Sequence, residues 1–278
     1  MEIKGRLYIC PTPLGNLEDI TLRVLKILKE AGLIAAEDTR RTRKLLTHYD
    51  ITTPIISFHQ HSTPQQLERL ITALLKGKDI ALVSDAGTPG ISDPGQALVA
   101  ACVVQGIDVD PLPGPCAAVA ALSASGFPLA SFTYHGFLPR KGLDAAVEAL
   151  TGYLHPVVLY ESPRRVEKLL QSIAVHMPRR EILLARELTK IHQQLLRGNA
   201  SQLLSQLSPG IQRGEFTVVL GPMVLTSQQW SESQLLAKVR EYTRQSFTTR
   251  DAVAQVSTET GFPRRELYSI VNKKKQDT

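Results

Sequence analysis

The feature that most constrains this 278-residue chain is an alternation, through its first half, of short apolar runs with amphipathic segments. Arg6–Cys10, Leu33–Ala36, Ile55–Phe58, Ile80–Ser84 and Ile107–Leu112 are strand candidates. A helix is expected from about Ile20 to Ala31, stopped by Gly32. Thr63-Pro64-Gln65-Gln66 has the form of a capping box with proline at the first helical position, opening a helix that Gly77 ends. Asp93 with Pro94 is expected to cap a further helix that stops at Gly106, and an alanine-rich helix follows Pro113-Gly114-Pro115. Strand, loop and helix repeated in this way predict an α/β architecture around a largely parallel sheet. Ligands of such sheets gather outside the carboxyl ends of the strands. Three heavily punctuated loops, Pro11–Asn16, Ser84–Gly95 and Pro113–Pro115, all follow strand candidates.

Leu138-Pro139-Arg140-Lys141-Gly142 reads as a hinge into a second α/β unit with strand candidates Val157–Tyr160, Ile182–Ala185 and Phe216–Leu220. Gly221-Pro222 closes that unit. From about Ser231 the pattern turns helical and more polar. Thr248–Thr260, the turn Gly261-Phe262-Pro263 and Arg264–Asn272 together resemble a helix-turn-helix unit, followed by Lys273-Lys274-Lys275. The expected division is 1–137, 138–222 and 223–278.

Composition narrows the function classes. Thirty-two basic against 26 acidic residues leave a net charge of +6, compatible with a phosphate-bearing partner but weak evidence by itself. No apolar run approaches the roughly 20 residues that span a bilayer. Met1-Glu2-Ile3-Lys4-Gly5 leads into the first strand candidate without a leader-like stretch, so a cytoplasmic setting is expected. Cys10, Cys102 and Cys116 are widely separated in apolar surroundings, which predicts buried, reduced thiols.

Ser84–Gly95 is the most informative segment. Glycine and proline at Gly87, Pro89, Gly90 and Pro94 let the backbone turn sharply and approach a ligand, while Asp85, Asp93 and several hydroxyls offer polar partners. Asp85, at the strand end, is the ligand-binding candidate; Asp93 is read as the helix cap. No P-loop and no dinucleotide fingerprint are present. Asp85-Ala86-Gly87-Thr88 lacks the second aspartate of a phosphatase pair. His59 and His61 have no matching cysteine or acid cluster, so no metal is expected.

The ordered set Thr12–Thr21, Glu37-Asp38-Thr39-Arg40, Ser57–His61, Ser84–Gly95, Pro113-Gly114-Pro115, Glu161-Ser162-Pro163-Arg164, Arg186–Lys190 and Gly214-Glu215-Phe216-Thr217 resembles the small-subunit ribosomal RNA methyltransferase I family of the tetrapyrrole-methylase superfamily. The resemblance runs from about Leu7 to Gly221, and the terminal helices resemble that family's C-terminal extension. One departure is His192-Gln193-Gln194, where the family often carries an acidic residue.

The resemblance implies two α/β domains with S-adenosylmethionine in the cleft between them, a helical C-terminal module that docks RNA, and a homodimer. The implied reaction is 2′-O-methylation of a cytidine in 16S rRNA near the decoding centre, on free rRNA or the 30S particle. Motif matching assigns Pro13, Leu14, Asp85, Gly87, Thr88, Ile91, Cys116 and Ala117 to the donor, joined by Tyr160, Leu188 and Phe216 from the second unit. Transfer from a sulfonium requires alignment of the ribose oxygen and removal of its proton. Asp38 with Arg40 and Glu187 with Lys190 are the candidate pairs, and the sequence leaves both open. Arg41, Arg43, Lys44, Arg140, Arg164 and Arg165 are candidates for phosphate contact. A small tetrapyrrole or another acceptor on the same fold, or a non-catalytic ribosome-assembly factor that binds RNA, are the competing readings. The arginine-rich segment after Asp38 argues against the first, and the glycine/proline loops argue against the second.

Overall fold

The computed structural model describes residues 4–207, 214–223, 231–244, 247–260 and 262–276. It divides into two compact units, Met1–Pro222 and Met223–Thr278. The larger holds two five-stranded sheets.

In the first sheet, β1 (Leu7–Ile9), β2 (Leu33–Ala36), β3 (Ile55–Ser57), β4 (Ile80–Val83) and β5 (Val109–Pro111) lie in the order β3-β2-β4-β1-β5. All four pairings are parallel. Side chains alternate between its faces, as the pleat requires. Leu7, Ile9, Ala35, Ile80 and Leu82 pack on one side with Leu70, Leu74 and Leu98 of α3 (Pro64–Leu75) and α4 (Gln96–Val104). Cys10, Ile34, Ala36, Ala81 and Val83 pack on the other with Val24, Leu28, Leu45 and Leu46 of α1 (Leu22–Glu30) and α2 (Thr39–His48). Both faces are covered, so the central strands read as continuous apolar runs. The Thr63 capping box forms, with the Thr63 and Gln66 side chains each accepting the other's backbone N–H.

The second sheet comprises β6 (Thr133–Phe137), β7 (Val157–Glu161), β8 (Ile182–Arg186), β9 (Gln194–Gly198) and β10 (Phe216–Leu220), in the order β6-β7-β10-β8-β9. Only β6 and β7 run parallel. Because β6 pairs with β7, this sheet begins at Thr133, ahead of the hinge expected at 138. Helix α5 (Ala117–Ser123) ties the sheets together: it leaves the first sheet, and its Ala118, Ala121 and Leu122 pack on Val158, Leu183, Ala185 and Val219 of the second. The loop 187–190 makes a further clasp. Thr189 Oγ1 accepts the Asn16 amide at 3.1 Å, and the Lys190 side chain lies where a Cβ on Gly15 would fall.

Helices α6 (Leu143–Ala149), α7 (Val166–His176) and α8 (Ala200–Gln206) complete the larger unit. In the smaller unit, α9 (Glu232–Arg244), α10 (Thr249–Thr260) and α11 (Arg264–Gln276) enclose a core of Leu235, Val239, Val253, Val256 and Leu267. Gly261 and the side chains of Lys273-Lys274-Lys275 lie outside the described residues. No helix among the described residues is long and apolar enough to cross a membrane.

Candidate active site

A cavity of about 390 Å³ opens in the larger unit where the two sheets meet, within the size range of small-molecule sites. Loops at the carboxyl ends of β1, β2 and β4 supply Leu14, Glu37 and the run Asp85–Asp93 around Pro89 and Gly90. The start of α5 adds Cys116 and Ala117. The second sheet contributes Phe137, Tyr160 and Phe216, with Glu161-Ser162-Pro163 at the end of β7 and Glu215 before β10. Gly87 is the pivot of the floor. Its amide and carbonyl exchange 2.9 Å hydrogen bonds with Thr12 at φ +80°, and a Cβ there would stand 3.3 Å from the Leu14 side chain. Only glycine adopts that backbone without strain.

Of the residues assigned to the donor, Leu14, Asp85, Gly87, Thr88, Ile91, Cys116, Ala117, Tyr160 and Phe216 come together on this wall. Pro13 faces a neighbouring recess with Thr12, Gly15, Arg41 and Lys44 instead. Leu188 packs into the core between α5 and the second sheet. The Tyr160 hydroxyl accepts the Ala118 amide at 3.1 Å, and its ring stands edge-on to Tyr134 and Phe137. Thr88 closes the loop by donating to the Pro115 carbonyl at 2.9 Å. Cys10 and Cys102 are buried thiols, and burial pushes Cys10 up to about 12. Cys116 departs from the expectation of burial, being half-exposed where it borders the cavity.

The acids are arranged differently from the sequence expectation. Asp93 does not cap α4. That helix begins at Gln96, its cap position is Gly95 at φ +143°, and no side chain bonds its first amides. Asp93 instead turns into the cavity beside Glu37 and Asp85. Burial, then the charge of Glu37, push its carboxyl up to about 7, against a hydrogen bond with Ser84. Burial also raises Glu37, whose carboxylate accepts the Asp85 amide at 3.3 Å. Asp85 accepts the Asp38 amide at 3.0 Å and faces the Arg41 guanidinium at 3.4 Å.

The Asp93 shift carries a stability consequence. The folded protein binds this proton more tightly than the unfolded chain, so its contribution is lost as pH rises from about 3.8 to about 7. Asp93→Asn should flatten that part of the stability profile and leave the variant at least as stable as the parent at pH 8. Urea unfolding across pH 4 to 8 checks this, and parallel profiles for the two proteins would refute it.

Both candidate proton-handling pairs are tied into the framework. Asp38 caps α2 and accepts from the Arg40 amide at 2.8 Å and the Arg40 guanidinium at 3.1 and 2.8 Å, which together hold it far below the usual carboxylate range. Burial alone would raise Glu187, but Lys190 at 2.8 Å outweighs it and the carboxyl sits low. Lys190 also reaches Glu215 at 3.1 Å, and Glu187 accepts the Glu215 amide at 2.9 Å. A carboxylate hydrogen-bonded directly to a cation at 2.8 Å is a weak base.

Two basic surfaces flank the cavity. Arg40, Arg43 and Lys44 line a groove on α2, and Arg41 of the same helix reaches the cavity itself. Arg140, Arg164 and Arg165 line a depression of about 650 Å³ that shares Phe137, Glu161 and Ser162 with the cavity. Arg165 departs from the phosphate-contact expectation. Its guanidinium donates to the Leu138 and Pro139 carbonyls and faces Glu161 at 3.5 Å, so it pins the hinge rather than presenting its donors outward.

Two sheets of this topology, meeting at a loop-lined cleft, define the class. The family model for Tetrapyrrole (Corrin/Porphyrin) Methylases matches residues 6–204. Solved structures with the same fold include cobalt precorrin-4 methyltransferase (TM-score 0.58, 15% identity, 78% of this chain and 94% of that one). A second is uroporphyrin-III C-methyl transferase from Thermus thermophilus complexed with S-adenosyl homocysteine (TM-score 0.53, 17% identity, 78% and 97%). Among curated relatives, the ribosomal RNA small subunit methyltransferase I of Halalkalibacterium halodurans is 42% identical over 273 residues, covering 96% of this chain and 94% of its own. That of Bacillus subtilis is 40% identical over 272 residues, with 95% and 93% covered. The chain belongs to the ribosomal RNA small subunit methyltransferase I family, and is a methyltransferase.

Proposed function

We propose that this protein transfers a methyl group from S-adenosylmethionine to the 2′-oxygen of a cytidine ribose in small-subunit rRNA. The observation that carries the reading is the cavity: one wall glycine-pivoted and acidic, the other aromatic, opening beside an arginine-lined depression. A donor that is part adenine and part cation fits this division. Leu14, Ile91, Tyr160 and Phe216 offer apolar contact to a purine, while Glu37, Asp85 and Asp93 complement a positive charge. The donor supplies an activated methyl on a positively charged sulfur. The chain's own residues have to hold it, align the acceptor oxygen and take the acceptor's proton.

Arg41, Arg43 and Lys44 of α2, with Arg140 and Arg164 across the cavity, are proposed to engage the RNA backbone, since guanidinium and ammonium groups suit phosphate. Asp38 with Arg40, and Glu187 with Lys190, are proposed to organise the site rather than to accept the proton. A cytoplasmic homodimer acting on the 30S particle belongs to the same reading. A small tetrapyrrole acceptor is disfavoured by the basic surfaces flanking the cavity.

Tritiated-methyl transfer to isolated small subunits and to free rRNA, followed by nucleoside mapping, tests the proposal. Label in a 2′-O-methylcytidine is expected; label absent from rRNA, or carried on a base, would overturn it. The helical unit 223–278 is proposed to add RNA affinity. A chain ending at Pro222 should bind rRNA at least about tenfold more weakly at physiological salt while keeping its donor affinity. Filter binding checks the first and calorimetry the second, and undiminished RNA affinity would remove the helical unit from the interface.

A further inference from the structure

With the donor in the 390 Å³ cavity and the RNA backbone along the arginine-lined depression, as proposed above, the acceptor hydroxyl meets the donor where the two join. Three residues border both: Phe137, Glu161 and Ser162. Phe137 carries no polar side-chain atom, so proton handling at the junction falls to the other two. Glu161 is the last residue of β7, paired with Phe216 of β10, and is only 2% exposed. Its Oε1 accepts the Ser162 amide at 2.6 Å and the Ser162 hydroxyl at 3.2 Å. Its Oε2 is buried without a hydrogen-bond partner and lies 3.5 Å from the Arg165 guanidinium. A buried carboxylate with an open oxygen is costly unless it serves a purpose.

We propose that Ser162 and Glu161 form a proton-relay pair for the methyl acceptor. Ser162 is a half-buried residue that lines both the cavity and the depression. Its hydroxyl already donates its proton toward Glu161, which leaves the oxygen lone pairs for an incoming O–H. As the acceptor oxygen forms its bond to the methyl carbon, the methyl–sulfur bond breaks and its electron pair returns to sulfur, giving a neutral thioether. The acceptor proton passes to Ser162 Oγ while the Ser162 proton passes to Glu161. Arg165 supplies the opposite charge beside the carboxylate and anchors the loop through Leu138 and Pro139. The other carboxylates occupy different places. Asp38 and Glu187 are saturated by Arg40 and Lys190, and Asp93 borders the donor cavity but not the depression.

This inference rests on the methyl acceptor being a ribose hydroxyl, which nucleoside mapping with the parent protein settles independently. The test uses the full chain and two variants, Glu161→Gln and Ser162→Ala. Ser162→Ala leaves the Glu161–Arg165 pair untouched and guards against loss of fold. With rRNA in single turnover, both variants should slow transfer at least roughly 100-fold, with donor affinity by calorimetry within about threefold of the parent. A second readout needs no turnover. The parent should bind an rRNA fragment carrying the ribose hydroxyl at the mapped position roughly fivefold more tightly than the 2′-deoxy fragment, and Ser162→Ala should lose that preference. The relay is overturned if either variant transfers within about threefold of the parent rate. It is equally overturned if Ser162→Ala keeps the hydroxyl preference, or if Asp93→Asn stops single-turnover transfer while Glu161→Gln does not.

Discussion

Arg180→Ala is expected to lower the stability of the larger unit by about 3–5 kcal/mol. Arg180 is a 2% exposed guanidinium whose partners are main-chain oxygens and a thioether rather than a carboxylate. Its Nε donates to Gly221 at 2.8 Å, and its terminal nitrogens donate to Leu150 at 3.0 Å and to Tyr153 and His155 at 3.1 Å. Burial lowers it to about 10, so it remains charged at neutral pH. The planar fork donates to four carbonyls, of which Leu150 also accepts the Tyr153 amide, and it ties segment 150–155 to the end of β10. Truncation removes the side-chain donor from all of them at once and leaves Gly221, Tyr153 and His155 to find another, at a cost of the order of 1–3 kcal/mol for each carbonyl that water does not reach. Arg180→Lys should recover only part of the loss, because an ammonium cannot match the fork. Urea unfolding followed by circular dichroism gives the shift in midpoint at unchanged slope. A midpoint equal to the parent's would show that the carbonyls find other donors.

Ala117→Leu is the second change expected to act strongly, and it should act on donor binding rather than on folding. Ala117 is the first residue of α5, next to the cap position Cys116, and both face the cavity. Leucine is a good helix former, so the helix itself tolerates the change. The three added carbons point into space that the donor is proposed to occupy. Overpacking of about 1–3 kcal/mol corresponds to roughly a ten- to hundredfold weaker donor affinity by calorimetry. The unfolding midpoint should move little. Parent-like donor affinity would place the donor away from the start of α5.

Much of the framework was legible because local pattern and tertiary outcome agree. The strand candidates Leu33–Ala36 and Phe216–Leu220 coincide with β2 and β10, which are central strands buried on both faces and so written as unbroken apolar runs. The Thr63 box opens α3 because a cap is a contact between residues three apart. The edge strands of the second sheet were harder to see. β6 is interrupted by a bulge between Tyr134 and Gly136, and β9 buries only Gly198, so neither has a strong apolar signature. Helix α2 has a weak apolar pattern as well, because only Thr42, Leu45 and Leu46 of its ten residues are buried and arginine and lysine are prominent among the rest.

The Ser84–Gly95 loop, with the ordered motifs around it, was enough to name the family and its donor, since glycine and proline requirements are local backbone properties. Asp93 could not be assigned the same way. Asp-Pro-Gly before a helix is a good local cap, and only burial, with Glu37 and Asp85 brought beside it, pushes this carboxyl up in the cavity. Nor could the sequence place Pro13, which lines a side recess, or Leu188, which packs half-buried against the core beside α5. Sequence by itself determined the α/β alternation, the cleft-forming loops and the family. Which acids face the cleft, which are spent on Arg40 and Lys190, and why Glu161 keeps an open oxygen were decided by the tertiary structure. Charge, burial and hydrogen-bond saturation depend on neighbours brought from distant parts of the chain.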